Sequence, residues 1–178
     1  MFVVQFFFRS IALGLVFLPI SVAGFSDSVK TLSNPEKSHR VAQFTTSTPS
    51  IELAIEQAVH DRINQYRATL GLPPLSLDER ITREARVHSQ NMASGKVVLG
   101  HEGFSRRVQA IAIPYRAAAE NVAYNRGYSD PDARAVEGWL SSFGHLRNIQ
   151  GNYNLTGVGV VKNAHGAYYF TQIFVLSR

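Results

Sequence analysis

From Ile51 the apolar residues recur at steps of three and four: Ile51, Ile55, Ala58, Val59, Ile63, Tyr66 and Leu70. That spacing lays one apolar stripe along a helix of 3.6 residues per turn, with Ser50 placed to cap its start and Gly71 to close its end. A second helix is expected after the break at Pro73-Pro74, with Leu77, Ile81, Ala85, His88 and Met92 on one face and Gly95 at its end. Ser76 and Glu79 are spaced as a capping box for it. A third, short helix is predicted from Asp130 as cap and Pro131 in the first turn, turning Val136, Trp139 or Leu140, and Phe143 inward and stopping at Gly144. The stretch "TGVGVVKNAHGAYYFTQIFVL" then holds two β-rich runs around Asn163-Ala164-His165-Gly166, which predicts a hairpin. Three helical segments before a terminal antiparallel hairpin point to an α+β domain whose helices cover a sheet that is apolar on both faces.

The chain before Ser50 has no such period. Residues 1–23 carry one charge, Arg9, an apolar run from Ile11 to Ile20 and the small-residue pattern Ser21-Val22-Ala23. This predicts a secretory signal cleaved after Ala23, with an uncleaved anchor as the rival reading because the apolar residues begin at Phe2. Residues 24–49, rich in Ser, Thr, Lys and Asn, read as a linker, leaving 50–178 as the folded domain. A length of 178 residues with 45% hydrophobic and 17% charged residues agrees with one such domain. The chain has no cysteine, so its fold rests on its core without disulfides, and lipid attachment at a cysteine is excluded. The net charge of +5 is scattered, with only Arg106 and Arg107 adjacent. Such a scattered surplus is expected to be a solvated surface, with loose attraction to anionic envelope polymers as its functional alternative, and a nucleic-acid partner is not expected.

Several side chains invite a choice between packing and chemistry. His88 lies on the apolar stripe and is expected to be a core residue bonded to the backbone. His165 reads as a turn residue and Trp139 as a core anchor whose indole N–H needs a partner. Asn121 is expected to fix a loop through its own backbone. Phe104 and Arg107 are expected to clip the His101 loop to the domain, the arginine head reaching a carboxylate. Gly100 and Gly103 give that loop freedom to turn, with Glu102 pointing to solvent. Tyr169 and Gln172 should face opposite sides of a strand.

Six motifs now stand in order: "NQYRATLGLPPLSLDERITREARVHSQNMA", "GHEGF", "AENVA", "WLSSFGHLRNI", "GVGVV" and "YYFTQIFV". In this order they resemble the CAP superfamily, the cysteine-rich secretory, antigen 5 and pathogenesis-related proteins, and more narrowly its compact bacterial branch. The resemblance covers about residues 51–176. It implies a three-layer α-β-α sandwich with a central antiparallel sheet and a cleft of histidines and acidic residues. His101 of "GHEGF" and Glu120 of "AENVA" match the first cleft histidine and glutamate. Ser142 stands where eukaryotic members have a second glutamate, and Tyr169 where they have a second histidine. His145, with Asn148 and Ile149, fits the bacterial pattern, although Leu146 replaces the arginine that normally follows and Arg147 comes one place later.

The resemblance implies an exported bacterial protein, periplasmic or extracellular, that binds a ligand in a polar cleft formed by His101, Glu120, His145, Ser142 and Tyr169. The candidate ligands are a lipid, an envelope glycan or a weakly held cation. For a divalent cation such as zinc, His101, Glu120 and His145 would supply three protein donors, the count of an open site. The alternatives are a secreted peptidase or esterase with Ser142 as nucleophile, His145 as base and Glu120 as orienting acid, and a non-catalytic envelope structural protein. Binding is favoured over catalysis, the protein is expected to be a monomer, and membrane contact is expected only through the leader before cleavage.

Overall fold

A computed structural model of the chain describes residues 50–178. The expected signal, 1–23, and linker, 24–49, lie outside the described residues. The elements run α1 (Ile51–Thr69), β1 (Ser76–Leu77), α2 (Glu79–Ala93), α3 (Phe104–Ile111), β2 (Tyr115–Arg126), α4 (Pro131–Leu140), α5 (Phe143–Ile149), β3 (Leu155–Lys162) and β4 (Ala167–Ser177). The sheet has the order β1-β3-β4-β2, antiparallel except for the short β1–β3 pair. β2 is therefore an edge strand.

Alternation along β4 divides the core between two faces, as successive side chains on a strand must. Phe170 and Phe174 pack with Ile55, Val59 and Ile63 of α1 and with Val136 and Trp139 of α4. Ile173 and Val175 pack on the other face with Ile81 and Ala85 of α2 and Ile111 of α3. Helices thus lie on both sides of the sheet, the sandwich that the motif order implies. α2 sits directly on β3 because Gly157 and Gly159 carry no side chain. A Cβ at either would run into the α2 backbone at Thr82 or Arg86.

α1 begins as predicted, the Ser50 hydroxyl accepting from Leu53 N–H at 3.3 Å. Its buried stripe continues to Arg67, which is 1% exposed and donates to the carbonyls of Pro73, Ile149 and Gly151. The capping box expected for α2 is not formed. Ser76 and Leu77 are drawn into the sheet against Leu155 and Thr156, and Asp78 caps instead, accepting from Arg80 N–H at 2.9 Å. Leu77, expected to face inward, is 45% exposed.

The third predicted helix proves to be two. α4 stops at Leu140 and α5 starts at Phe143, which is 82% exposed rather than inward, and Gly144 lies within α5. Asp130 makes no side-chain cap bond to the helix. The β3–β4 hairpin forms as expected around Asn163–Gly166, the Asn163 side chain accepting from the N–H groups of His165 and Ala167 at 3.0 Å. α3 and β2 have no counterpart among the elements that periodicity predicts. "YRAAAENVAYNR" contains alanines where strand side chains are usually branched or aromatic, so its local preference for a strand is weak.

Candidate functional site

The cleft lies along the edge strand β2, between α3 and α5. Its floor is Glu120, whose residue pairs with Ile173 of β4 and whose side chain is 1% exposed. A carboxylate so buried needs cationic or hydrogen-bonding partners, because desolvation penalises the bare charge. Arg107, one turn into α3, supplies them. Its Nε donates to Oε2 at 2.9 Å and its Nη2 to Oε1 at 2.7 Å, a two-pronged pair. Its Nη1 donates to the carbonyl of Glu102 at 2.7 Å, tying α3 and β2 to the loop before α3.

That loop carries His101. Gly103, with φ of 78°, lets the chain turn into α3, and the His88 ring donates from Nε2 to the carbonyl of Gly100 at 2.8 Å. His88 is thus the backbone-bonded core histidine the stripe suggests, and burial pushes its pKa below the ordinary histidine value. His101 places Nδ1 at 3.0 Å from Glu120 Oε1. Since the carboxylate can only accept, Nδ1 carries the proton, and Nε2 is the nitrogen left for a ligand. The imidazole is half exposed while the carboxylate beneath it is sealed. Glu102 is exposed, as expected.

α5 brings the second histidine. Its docking on β2 uses side-chain amides: Asn121 donates to the carbonyl of His145 at 3.2 Å, and Asn148 donates to Asn121 Oδ1 at 2.9 Å and to the carbonyl of Glu120 at 3.2 Å. Trp139 of α4 is the expected core anchor, and its indole N–H reaches the carbonyl of Val122 at 2.9 Å. Asn148 and Trp139 thereby cover carbonyls of an edge strand, which would otherwise invite pairing with another chain. Asn121 sits on β2 and ties it to α5, rather than fixing a loop through its own backbone. The rings of His145 and His101 are 6.3 Å apart between centroids. Burial, and then the neighbouring His101, push the His145 pKa below its ordinary value, so His145 is uncharged at neutral pH.

The resulting cavity has a volume of about 370 Å³ and is lined chiefly by His101, Phe104, Glu120, His145, Arg147 and Asn148. The structure therefore brings His101, Glu120 and His145 together. Ser142 and Tyr169 are not among the residues lining that cavity. Ser142 is the residue before α5, its carbonyl accepting from Leu146 N–H at 2.8 Å. Tyr169 pairs across the strands with Tyr124, ring centroids 5.1 Å apart. Gln172 faces the opposite side, fully buried, and donates to Thr156 Oγ1 at 3.2 Å. Arg107 reaches a carboxylate as expected, and Asn148 is the functional residue least visible in sequence. The carboxylate expected for Arg107 is Glu120, and the signal for Asn148 is only its place in the "GHLRNI" motif.

The metal set of His101, Glu120 and His145 does not fit a cation as the side chains stand. Both oxygens of Glu120 are engaged by a guanidinium, and His101 Nδ1 faces the same carboxylate. A dication on that carboxylate would also repel Arg107, by about 8 kcal/mol for +2 against +1 at 4 Å and an effective dielectric constant of 20. Among the described residues no group of three or more histidines and carboxylates could hold a metal ion.

The comparisons agree with this architecture. The model of the CAP family, described as the cysteine-rich secretory protein family, matches residues 60–174. The protein YkwD of Bacillus subtilis (strain 168) is 35% identical over 136 residues, covering 74% of this chain and 51% of YkwD. The membrane protein YlbC of the same organism is 32% identical over 130 residues, covering 70% of this chain and 35% of YlbC. The chain thus spans about half the length of the first and about a third of the second. An extracellular protein containing an SCP domain from Bacillus anthracis str. Ames superposes with a TM-score of 0.62 at 28% identity, covering 71% of this chain and 42% of that one. An outer surface protein from Borrelia burgdorferi gives a TM-score of 0.62 at 16% identity, covering 70% of this chain and 94% of that one, a likeness of fold alone. With the fold, the cleft histidines and the family match in agreement, the chain belongs to the cysteine-rich secretory protein family, CAP.

Proposed function

We propose that this chain is an exported binding protein whose cleft takes a hydroxyl-rich ligand of the bacterial envelope, a glycan bearing a negative group. The observation that carries this reading is the pairing of His101 and His145 across an open cavity with Arg147 at its side. His101 Nε2 and the uncharged His145 ring offer hydrogen bonds to hydroxyl groups, and Arg147 offers a guanidinium to a carboxylate or phosphate. Phe104 adds an aromatic surface against which sugar C–H groups can pack. A lipid is less well served. The apolar groove near Leu53, Val87 and Val160 shares no lining residue with the cleft.

Export rests on the leader pattern of residues 1–23 and on the Bacillus anthracis neighbour, which is described as extracellular. Among the described residues no helix is long and apolar enough to cross a membrane. Hydrolysis has one observation in its favour, an imidazole oriented by a buried carboxylate, which is how a general base is held. Ser142, the nucleophile it would need, lies outside the cavity lining.

Calorimetric titration of the protein with soluble envelope-glycan fragments, carboxylated and uncharged, tests the reading. Carboxylated fragments are expected to bind, with His145→Ala and Arg147→Ala each weakening them about tenfold or more, a loss of about 1.4 kcal/mol. Absence of binding, or binding indifferent to both substitutions, rejects it.

A further inference from the structure

α5 has only seven residues, a length that water does not keep helical without tertiary contacts, yet it carries the ring that faces His101 across the cleft. Asn121 and Asn148 hold it on β2. Its other end is held from α1. Arg67, 1% exposed in the last turn of α1, donates from Nη1 to the carbonyls of Ile149 at 2.7 Å and Gly151 at 2.9 Å, and from Nε to the carbonyl of Pro73 at 3.0 Å. Burial alone pulls its pKa below the ordinary arginine value, and no carboxylate counters it. Ile149 is the last residue of α5, so its carbonyl is one that a helix leaves without an internal partner, at the negative end of the helix dipole. Gln150 adds a second tie, its Nε2 donating to the Tyr66 hydroxyl at 3.1 Å. Taking a guanidinium out of water is costly, and an apolar side chain of similar volume would fill the space without that penalty. What it would lack is the donors that join α1, the Pro73 turn and the end of α5.

We propose that Arg67 is a positioning residue of the cleft: from the end of α1 it holds the carbonyl end of α5 and so sets where His145 stands, without lining the cavity itself. Only its effect on binding rests on the glycan reading; the placement of His145 is measured without any ligand. A single helical turn separates His145 from Ile149, so a shift at the carbonyl end is carried to the ring. Removing the guanidinium takes the donor from the Ile149 and Pro73 carbonyls and frees the end of α5. His145 then gains water and moves away from His101, the two causes that now hold its pKa down. His101 stays where it is, because its loop is tied to Glu120, Arg107 and His88 rather than to α5.

The test follows the histidine ring resonances against pH, without ligand, in the wild type, Arg67→Met and Arg67→Lys. In Arg67→Met the His145 pKa is expected to rise toward the ordinary value of about 6.5, while that of His88, buried under another helix, stays in place. Amides of α5 should exchange about tenfold or more faster, with those of β4 unchanged. Arg67→Lys, which keeps a buried cationic donor, should move both less. A folded Arg67→Met with the wild-type His145 pKa and α5 exchange overturns the proposal. So does one that shifts His88 and His145 together, because the whole domain has then loosened. Should Arg67→Met fail to fold, amide exchange of the wild type in mild denaturant decides: α5 is expected to open together with the last turn of α1, before β4, and separate opening overturns the proposal. Carboxylated glycan fragments should bind Arg67→Met about tenfold more weakly. If none binds the wild type, the glycan reading falls and the shift of His145 alone decides the role of Arg67.

Discussion

His88 shows how one side chain can serve the site without entering it. Its Nε2 holds the carbonyl of Gly100, and so fixes the approach to His101, while burial keeps the ring neutral. A histidine whose folded pKa is depressed binds fewer protons in the folded state than in the unfolded one below its ordinary value. Stability is therefore unaffected above about pH 6.5 and falls as pH drops through that value toward the lower folded pKa. His145, depressed by burial and by His101, acts in the same direction. Denaturant melts at about pH 7.5 and pH 5.5 should show a lower midpoint in acid, and His88→Gln should flatten the difference. An unchanged or larger acid loss in that variant would mean that His88 is not the group being charged. The position of His88 on the stripe is readable from spacing; the carbonyl that satisfies it is not, since it lies on a loop twelve residues away.

Among the elements, α2 separates local signal from tertiary competition most cleanly. Ser76 and Glu79 have the spacing of a capping box, but the same Ser76 can extend the sheet, and Ser76 N–H bonds to the carbonyl of Asn154 at 2.9 Å. The sheet takes it, and the helix start moves to Asp78, whose carboxylate caps Arg80 N–H and also pairs with the Arg80 side chain. The Arg80 side-chain hydrogen bond, the largest cause, holds the Asp78 pKa below the ordinary carboxylate value. Asp78→Ala should cost about 0.5–2 kcal/mol by chemical denaturation, the usual loss for an N-cap, and Ser76→Ala only a few tenths. The opposite order would restore Ser76 as the cap. α4 and α5 teach a related lesson: the pattern from Asp130 to Gly144 fits one short helix, while the structure breaks it after Leu140 so that α5 can dock on β2 through Asn121 and Asn148.

At the scale of the whole molecule, the described residues form two cores on either side of one sheet that carry the stability, and the cleft lies at their margin along the edge of β2, where Ala119 packs against one core and Phe104 against the other. Trp139 is 1% exposed in the larger core and also serves the edge strand through Val122. Trp139→Ala should therefore cost about 3–5 kcal/mol in thermal or chemical melts. His101→Ala, which removes a half-exposed ring, should cost clearly less, and equal losses would make His101 a structural residue. The sequence by itself determined α1, the body of α2, the β3–β4 hairpin and, through the order of its motifs, the sandwich and the identities of His101, Glu120 and His145. The helices and the hairpin follow from periodicity and turn residues, which are local properties of the chain, whereas the sandwich and the cleft residues follow from the resemblance of the motif order to the CAP family. Tertiary structure decided that Ala-rich residues 115–126 become an edge strand, because β4 offers them a partner along its whole length. It also decided that Ser142 and Tyr169 stay outside the cavity lining and that a guanidinium holds the cleft carboxylate. No local pattern encodes these outcomes, since Arg107 meets Glu120 across 13 residues and Asn148 meets it across 28, and such contacts exist only once the layers have closed.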